Sequence, residues 1–515
     1  MNLINREEDK MRLLLENGIM INHNRTMTCD IAIKDSIIEK ITIDNLFLTE
    51  KFDKVIDCSG KYILPGVIDP HVHLRDMKQR NKETIRSGTN AAIHNGVTTL
   101  FAMPNTIPKI SNINVLKKYQ SLVKNTARCN VGIYGGIGPG FDMLELAAMK
   151  DQGIFGLKIY PGDTSEKFEL DWSEHENLNQ MINDTIQHGI DSDMTFFEYF
   201  DYYYENQLNS NNEFESKVEN WWILFKECQK LNLPIIFHLD TPKSKSFIKS
   251  VKDGYKTNNR LKVHNNIYSK FNEITALSFI YYILKIYKYI DLLSVVYPRI
   301  CFAHVSTAQI ANLINMFSDV YKGIETFVEI SPHHLFLDYS IGEDLEIQSF
   351  GKVLAPLRAK GEREYLLKFV NNDGISFFGT DHAPHSELDK NKAFIHAPSG
   401  IASLDYYVQY MLTKAFEGSF SLETFVKFSS YNPASYLGLN RKGQIAEGFD
   451  ADVFIVSQVE KYDLDPSIFL SNAKFSPFDL SGLKVRVDEV ILAGFPTINK
   501  IDTVINDKEL LLRND

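Results

Sequence analysis

The stretch "ILPGVIDPHVHLRD", residues 63–76, places an apolar run directly before a short series of alternating polar side chains. Side chains alternate between the two faces of a strand, so His71, His73 and Arg75 project from one face. Three polar groups on one face at the end of an apolar run form either a solvated edge or one wall of a site. The rest of the chain decides between these two interpretations.

Apolar runs of this kind recur along the chain, with segments of helical character between most of them. Eight such runs are found, at residues 62–73, 97–105, 131–137, 154–160, 234–239, 299–305, 326–334 and 375–382. Near-continuous apolar strands joined by long crossovers are typical of parallel sheets that are buried on both faces. The pattern predicts an α/β fold with a (β/α)8 barrel resembling the TIM barrel.

Both ends of the chain predict a second, smaller domain. Residues 11–64 and 441–515 show short strands separated by turn residues, and neither end has enough core to stand alone. We therefore expect a composite β-sandwich domain from the two ends and a barrel domain over residues 65–440. Two crossovers are long enough to hold inserts, at about 163–222 and 245–295.

Composition and charge narrow the function classes. A formal net charge of −11 gives no reason to expect a nucleic acid or an anionic membrane as partner. The five cysteines form no close pair, which argues against a disulfide framework or a thiolate zinc site and predicts a reducing compartment. The most apolar stretch, residues 276–297, carries Lys285, Lys288 and Asp291 and is typical of a buried helix. We expect a cytoplasmic protein without a membrane segment.

Polar side chains stand at or just past the carboxyl ends of the predicted strands. Barrel enzymes carry their chemistry at this end, on several different strands. Any one of these residues could simply satisfy a loop, but the whole set predicts a site. The residues are His71, His73, Asn105, Lys158, His238, His304, His333, His334 and Asp381.

The residue types in this set are metal ligands. Imidazole and carboxylate groups bind zinc and similar metals, and there are more of them than one catalytic zinc needs. Two metals are therefore plausible, and they require a bridging group. An ammonium would be repelled by two dications, whereas a carbamate formed from Lys158 and carbon dioxide would offer an oxygen to each. A Lys158 ion-paired with a barrel carboxylate stays open as the alternative.

The motifs resemble those of the amidohydrolase superfamily and, among its cyclic amidases, those of the type I dihydroorotases. "GVIDPHVHLRD" is similar to the first-strand metal motif, "AMPNTIP" to the second-strand substrate motif, "GLKIY" to the carboxylated-lysine strand and "GTDHAPHS" to the last strand. "SPHHLFLD" and "YNPASYLGLNRKGQIAEGFDADVFIV" extend the similarity, which runs from about residue 15 to 460 apart from the inserts.

The resemblance implies a centre of two divalent metal ions, with zinc as the first candidate. Lys158, as N6-carboxylysine, would bridge the metals together with a hydroxide that attacks the substrate. Asp381 would act as general base and later as general acid. The implied metal ligands are His71, His73 and Asp381 for one ion, His238 and His304 for the other, and Lys158 for both.

The resemblance also implies how the substrate is bound. A guanidinium grips a carboxylate bidentately, so Arg75 would bind the carboxylate that dihydroorotate carries outside its ring. Type I dihydroorotases commonly show Asn-Pro-Pro-Leu-Arg where this chain has "LAPLR", so Leu354 stands in place of a substrate-contacting asparagine. The implied substrate residues are Arg75, Asn105, His385, Leu354, Pro398 and Gly400.

The activity implied is the reversible cyclisation of N-carbamoyl-L-aspartate to L-dihydroorotate in pyrimidine biosynthesis, by a homodimer. Another cyclic amidase, of the allantoinase or hydantoinase (dihydropyrimidinase) type, is the nearer alternative, and Leu354 keeps it open. A non-catalytic scaffold with the amidohydrolase fold is a third hypothesis. The presence of all six implied metal ligands argues against it.

Overall fold

The computed structural model describes residues 11–43, 50–138, 141–160, 212–241, 258–290, 297–320 and 324–497. Most of the first predicted insert, 163–222, and both ends of the second, 245–295, lie outside the described residues. The described part of the second insert forms two helices, Arg260–Ile267 and Lys270–Ile290, and the latter packs in the main apolar core. Within the described ranges, no helix has the length and apolar character needed to cross a bilayer.

The strands follow one another as β1 (Arg12–Asn22), β2 (Arg25–Lys34), β3 (Ile37–Thr42), β4 (Lys54–Asp57), β5 (Tyr62–Pro65), β6 (Val67–Val72), β7 (Val97–Ala102), β8 (Asn130–Ile133), β9 (Gly135–Gly136), β10 (Leu157–Ile159), β11 (Ile235–His238), β12 (Ile300–Ala303), β13 (Thr326–Ile330), β14 (Phe377–Phe378), β15 (Val453–Tyr462), β16 (Leu483–Leu492) and β17 (Phe495–Pro496).

The helices are α1 (Ile85–His94), α2 (Ile113–Thr126), α3 (Met143–Asp151), α4 (Asn212–Lys230), α5 (Arg260–Ile267), α6 (Lys270–Ile290), α7 (Ala308–Val320), α8 (Pro332–Phe336), α9 (Lys360–Asn371), α10 (Glu387–Lys390), α11 (Tyr407–Phe416), α12 (Leu422–Val426) and α13 (Asn432–Leu437). Short 3-10 turns occur at Met77–Gln79, Tyr339–Glu343 and Pro466–Ile468, and a π turn at Lys427–Tyr431 joins α12 to α13.

The parallel strands close into the predicted barrel. One sheet has the order β6–β7–β8 and the other the order β14–β13–β12–β11–β10–β9. Only Tyr134 separates β8 from β9, so these two strands form one continuous wall of the barrel. At the other seam, a parallel bridge between Val72 and His382 joins the first strand to the last. The eight predicted strand regions therefore all contribute to the barrel.

Both faces of the barrel strands are apolar because the inner cluster covers one face and the surrounding helices cover the other. Residues such as Ile68, Phe101 and Ile236 form an inner cluster, which Tyr436 of α13 joins. The alternate positions, such as Leu100 and Ile235, belong to the larger cluster that includes the surrounding helices. Burial on both sides is the reason why the strands read as unbroken apolar runs.

A second sheet is built from both chain ends. Its order is β17–β16–β15–β5–β1–β2–β3, with β4 paired to β1, and it contains an apolar cluster of its own. The predicted run 62–73 is divided between the two sheets, since β5 pairs with β15 and β6 with β7. Gly66 lies at the division, where a Cβ would come within 2.1 Å of Thr98 Oγ1. The residue limits predicted for the two domains stay predictions.

A buried polar junction connects the sheet to the amino ends of the barrel strands. The Asp452 carboxylate accepts hydrogen bonds from Lys442 Nζ at 2.6 Å, Asn130 Nδ2 at 3.1 Å and Ala493 N at 2.8 Å. Its main-chain oxygen accepts Gly66 N at 2.8 Å. This junction lies at the opposite end of the strands from the candidate site, since Asn130 and Gly66 begin or precede their strands.

Candidate metal centre and substrate site

Three of the residues predicted for the site follow their strands in a left-handed backbone conformation. The φ angles are 52° at Arg75, 40° at His304 and 47° at Asp381. Residues other than glycine rarely adopt such angles, and the strain persists only where the surroundings enforce it, often at functional sites. The backbone at these strand ends therefore adopts unusual conformations where the predicted site residues lie.

His71, His73 and Asp381 form a buried cluster whose possible ligand atoms all lie within 4.8 Å of one another. Asp381 Oδ1 is 3.3 Å from His71 Nε2 and 3.0 Å from His73 Nε2. Burial lowers the pKa of His73 to about 4 although Asp381 opposes the shift, so this imidazole is neutral at neutral pH. The structure thus brings together the three side chains that the family resemblance assigns to one metal ion.

The far nitrogens of both histidines are held by hydrogen bonds. His71 donates Nδ1–H to Glu329 Oε1 at 2.7 Å, and His73 donates Nδ1–H to Asn105 Oδ1 at 2.7 Å. A neutral imidazole that donates from Nδ1 carries a lone pair on Nε2. Two lone pairs therefore face the Asp381 carboxylate with no proton between them, which is an arrangement that a cation would stabilise.

Glu329 was missed by the sequence reasoning. It is buried on β13, and besides His71 its Oε1 accepts the main-chain N–H of His304 at 3.1 Å. The available signal was a carboxylate inside the apolar run "TFVEIS". The structure makes Glu329 the residue that orients His71.

Asp69 was also missed, and it ties the first strand to the last. Its carboxylate accepts Thr380 Oγ1 at 2.5 Å, Thr380 N at 3.0 Å and His71 N at 3.1 Å. Both residues of this contact are close in sequence to predicted metal ligands, since Asp69 lies two residues before His71 and Thr380 directly precedes Asp381. Asp69 therefore fixes the distance between the two strand ends.

His238 and His304 form a second histidine pair, at the ends of the adjacent strands β11 and β12. His238 Nδ1 lies 2.7 Å from His304 Nε2. Burial, together with the charge of Lys158, lowers the pKa of His238 to about 3, and burial lowers the pKa of His304 well below its usual value. Both rings are therefore neutral, the state in which imidazole binds metals.

Lys158 projects into the barrel, in register with Ile236 of the inner cluster. Its side chain is 1% exposed, and Nζ has no hydrogen-bond partner among the described residues. Nζ lies 5.3 Å from the centre of the Tyr160 ring. Burial lowers the pKa of the amine, although Glu329 and Asp381 oppose the shift. The predicted alternative, a close ion pair with a barrel carboxylate, is not formed within the described part of the chain.

Arg75 lies at the rim of the cluster, 7% exposed, with its Nε lacking a hydrogen-bond partner. Its Nη2 lies 3.4 Å from His385 Nε2. His385 Nε2 also lies 3.0 Å from Ser399 O. Only an Nε2 that carries a proton can donate to this carbonyl oxygen. Arg75 and His385 therefore meet donor against donor, and the guanidinium keeps its hydrogen-bonding capacity.

The other substrate residues implied by the resemblance differ in what they offer. The side-chain oxygen of Asn105 accepts the hydrogen bond from His73, so Asn105 orients a predicted metal ligand as well as facing the site. The main chain of the two residues that flank Leu354 is held by buried histidines, because Val353 O accepts His264 Nε2 and Ala355 O accepts His334 Nε2, each at 3.0 Å. The Leu354 side chain itself has no polar atom.

A buried ion pair holds the end of the same segment. Arg358 Nη2 lies 2.5 Å from Glu273 Oε2 of α6, and Arg358 Nε donates to Ser306 Oγ at 2.8 Å. Ser306 comes two residues after His304. The crossover helix α6 is thus connected to the predicted metal site.

His333 and His334 of α8 do not join the metal cluster. Ser331 Oγ bonds both rings, at 2.9 Å to His333 Nε2 and 2.8 Å to His334 Nδ1. These two residues brace the loop beyond β13.

Pro398 and Gly400 belong to a loop beside His385. Gly400 N donates to Lys352 O at 2.9 Å, and Pro398 O accepts Lys390 Nζ at 3.1 Å. The φ angle of Gly400 is 140°, and a Cβ there would lie 2.5 Å from Ala383 O. Only glycine fits this position.

Comparisons with known proteins extend over nearly the whole chain. The profile of the family described as Amidohydrolase family matches residues 62–494. A dihydroorotase of Methanosphaera stadtmanae is 25% identical over 482 residues, which cover 93% of this chain and 94% of the relative. A dihydroorotase of Halalkalibacterium halodurans is 27% identical over 477 residues, which cover 91% and 94%.

The chain also resembles solved structures in its fold. The L-hydantoinase (dihydropyrimidinase) of Arthrobacter aurescens superposes with a TM-score of 0.75 at 22% identity, over 94% of this chain and 96% of that one. The D-hydantoinase of Thermus sp. gives a TM-score of 0.74 at 19% identity, over 96% of each chain. At this identity the likeness concerns the fold.

Proposed function

Because the chain belongs to the amidohydrolase family, we propose that it is a metal-dependent dihydroorotase that interconverts N-carbamoyl-L-aspartate and L-dihydroorotate. The single observation that carries the proposal is Arg75, a nearly buried guanidinium at the rim of the candidate metal centre. No carboxylate of the described chain pairs with it. Such a group is expected to bind an anionic substrate. The curated relatives named dihydroorotase support the same reaction.

The donor atoms fit divalent metal ions. The lone pairs on His71 Nε2 and His73 Nε2 converge on the Asp381 carboxylate, and His238 and His304 offer two neutral imidazoles. Nitrogen and oxygen ligands of this kind suit zinc. When bound, two zinc ions would supply a Lewis acid for the amide carbonyl and an activated water for the attack.

Lys158 fits the role of the bridging group after reaction with carbon dioxide. Its amine is buried without a hydrogen-bond partner, which is costly for an ammonium. Because its pKa is lowered, the amine is more readily neutral, and the neutral form is the nucleophile towards carbon dioxide. The resulting carbamate would replace an orphaned donor by an anion among metal ligands.

Asp381 is suited to move the proton. Burial alone would raise the pKa of Asp381, but the neighbouring His71 and His73 hold it well below the usual range. A carboxylate in this state accepts a proton at Oδ1 from the attacking water. It then delivers the proton to the leaving ring nitrogen, which completes a general base and acid cycle.

Arg75 binds and orients the substrate in this scheme. With the carboxylate outside the ring held by the guanidinium, the scissile amide is directed to the strand ends that carry the histidines. Leu354 favours the second candidate, a hydantoinase or dihydropyrimidinase, because it offers the ring no polar contact. We further expect a cytoplasmic homodimer, as the family resemblance implies.

A substrate panel tests the proposal. Zinc-loaded protein is assayed on L-dihydroorotate, dihydrouracil, hydantoin and allantoin, with Arg75→Met beside the wild type. We expect hydrolysis of L-dihydroorotate that is lost in Arg75→Met. Turnover of dihydrouracil with inert dihydroorotate would favour the second candidate. Bound metal without turnover of any of the four would favour the scaffold hypothesis.

A further inference from the structure

Two lysines near the site are buried, and their ammonium groups donate to main-chain carbonyls. Lys352 is 8% exposed and Lys390 is 0% exposed. Lys352 Nζ donates to Phe394 O at 2.8 Å and to Ala397 O at 2.7 Å. Both of its acceptors are main-chain carbonyls. Among the described residues, no acidic side chain forms an ion pair with either lysine.

Lys390 makes the same kind of contacts from α10. Its Nζ donates to Ser349 O at 3.0 Å, Pro398 O at 3.1 Å and Lys352 O at 3.3 Å. The two side chains together thus bond three carbonyls within residues 394–398. Lys390 also bonds the segment that carries Lys352, since one of its acceptors is Lys352 O.

Such an arrangement is costly, so it calls for an explanation. Lysine is almost never fully buried unless it is paired, because removing an ammonium from water is expensive. Burial lowers the pKa of Lys352 to about 8 and that of Lys390 well below its usual value. The three carbonyl acceptors of Lys390 Nζ nevertheless take three N–H bonds, which only the ammonium form provides. A stable fold has cheaper ways to fix a loop, such as asparagine or threonine side chains.

The loop that the lysines hold lies against the substrate side of the site. Ser399 O is bonded by His385 Nε2 at 3.0 Å, and Gly400 N donates to Lys352 O at 2.9 Å. His385 in turn faces Arg75. The loop therefore has the lysines on one side and the predicted carboxylate-binding residues on the other.

We propose that Lys352 and Lys390 are positioning residues that hold residues 394–400 against His385, and that their positive charge adds to that of Arg75 in favouring a carboxylate-bearing substrate. The part of this inference that concerns the substrate rests on the proposed function. The part that concerns the loop does not. Burial lowers the pKa of His385, and the nearby charges of Arg75, Lys390 and Lys82 lower it further.

The test uses Lys352→Met and Lys390→Met, which keep most of the side-chain length and remove the ammonium. Lys392→Met is the matched control, because Lys392 lies two residues from Lys390 but is 55% exposed and paired with Asp389 at 2.5 Å. Hydrogen–deuterium exchange of residues 394–400 reports the loop without any substrate. KM and kcat for L-dihydroorotate, with metal content as a check on the centre, report the substrate part.

We expect faster exchange at 394–400 in both methionine variants and no change in the control. KM should rise about tenfold because the positive charge that favours the substrate carboxylate is lost, while kcat changes by less than about threefold. Unchanged exchange would overturn the positioning role. Faster exchange with unchanged KM would overturn the effect on the substrate.

The outcomes separate this inference from the proposed function. If the wild type leaves dihydroorotate intact while both variants loosen the loop, the proposed function fails and the positioning role stands. If a variant does not fold, amide exchange in the wild type still provides a test. The Gly400 amide is expected to exchange slowly because Lys352 O accepts it, and fast exchange there would contradict the inference.

Discussion

Glu329 Oε1 accepts a hydrogen bond from His71 Nδ1 at 2.7 Å and, at 3.1 Å, from the main-chain N–H of His304. The two partners belong to different halves of the proposed metal centre. One buried carboxylate therefore orients a ligand for the first ion and the strand end that carries a ligand for the second. Carboxylates of this kind raise the basicity of the histidine and fix its tautomer.

Replacing Glu329 should weaken metal binding. In Glu329→Gln the acceptor oxygen remains but the charge is lost, so we expect the zinc affinity to fall by about 10- to 100-fold with the fold intact. Competition with a chromophoric chelator measures the affinity, and circular dichroism checks the fold. Glu325→Gln is the control, since Glu325 is exposed at the start of the same strand region. Equal affinities in the two variants would contradict the role of Glu329.

Substitutions at Lys158 distinguish a carbamate bridge from a structural lysine. Lys158→Glu supplies an anion in the same place, whereas Lys158→Met supplies none. We expect the wild type to bind two zinc ions per chain, Lys158→Glu to retain more zinc than Lys158→Met, and labelled carbon dioxide to mark Lys158 in the wild type. Metal analysis and carbon-13 NMR provide the measurements. Full zinc content in Lys158→Met would refute the bridge.

The loop beside His385 should not tolerate a side chain at Gly400. In Gly400→Ala the Cβ would lie 2.5 Å from Ala383 O in a backbone conformation unfavourable for alanine. We expect a loss of about 1–3 kcal/mol in the free energy of unfolding. Gly361→Ala is the control, because its Cβ meets no atom within 4 Å. Urea unfolding compares the two variants, and similar stability would contradict the steric argument.

The junction of sheet and barrel predicts a pH dependence of stability. Burial alone would lower the pKa of Lys442, but Asp452 and Asp450 raise it above its ordinary value. A raised pKa contributes stability that is complete below the unfolded value, about 10.4, and is lost as the pH rises through the folded value. The wild type should lose this contribution only in alkaline solution.

The variant Lys442→Met isolates that contribution. It leaves the Asp452 charge buried and unpaired, so we expect a loss of about 3 kcal/mol at pH 7. The difference from the wild type should stay constant at neutral pH and shrink above about pH 10.4. Urea unfolding at several pH values measures it, with the exposed Lys461→Met as control. A difference that grows with pH would show that the sign is wrong.

The barrel was predictable because its strands carry a strong local signal. Strands buried on both faces are continuous in apolar residues, and the polar residues that interrupt them mark the carboxyl ends. The division at Gly66 was not predictable, since β5 and β6 are both apolar and differ only in their distant partners, β15 and β7. Strand pairing of that kind is set by tertiary structure.

The candidate ligands were predictable, but the residues that hold them mostly were not. His71, His73 and Asp381 lie in recognisable motifs, and the structure brings them together. Glu329 is a single carboxylate in a strand, and Lys352 and Lys390 read as ordinary surface lysines. Their roles depend on contacts with residues distant in the sequence or with main-chain carbonyls, which leave no periodic pattern.

The most direct test of the central claim is the synthetic reaction of the zinc-loaded wild type, with N-carbamoyl-L-aspartate as the only substrate. The account predicts that L-dihydroorotate forms, that a chelator abolishes its formation and that added zinc restores it. Absence of L-dihydroorotate, from protein that carries two zinc ions and opens dihydrouracil, would contradict the assignment of Arg75 as the carboxylate-binding residue of a dihydroorotase.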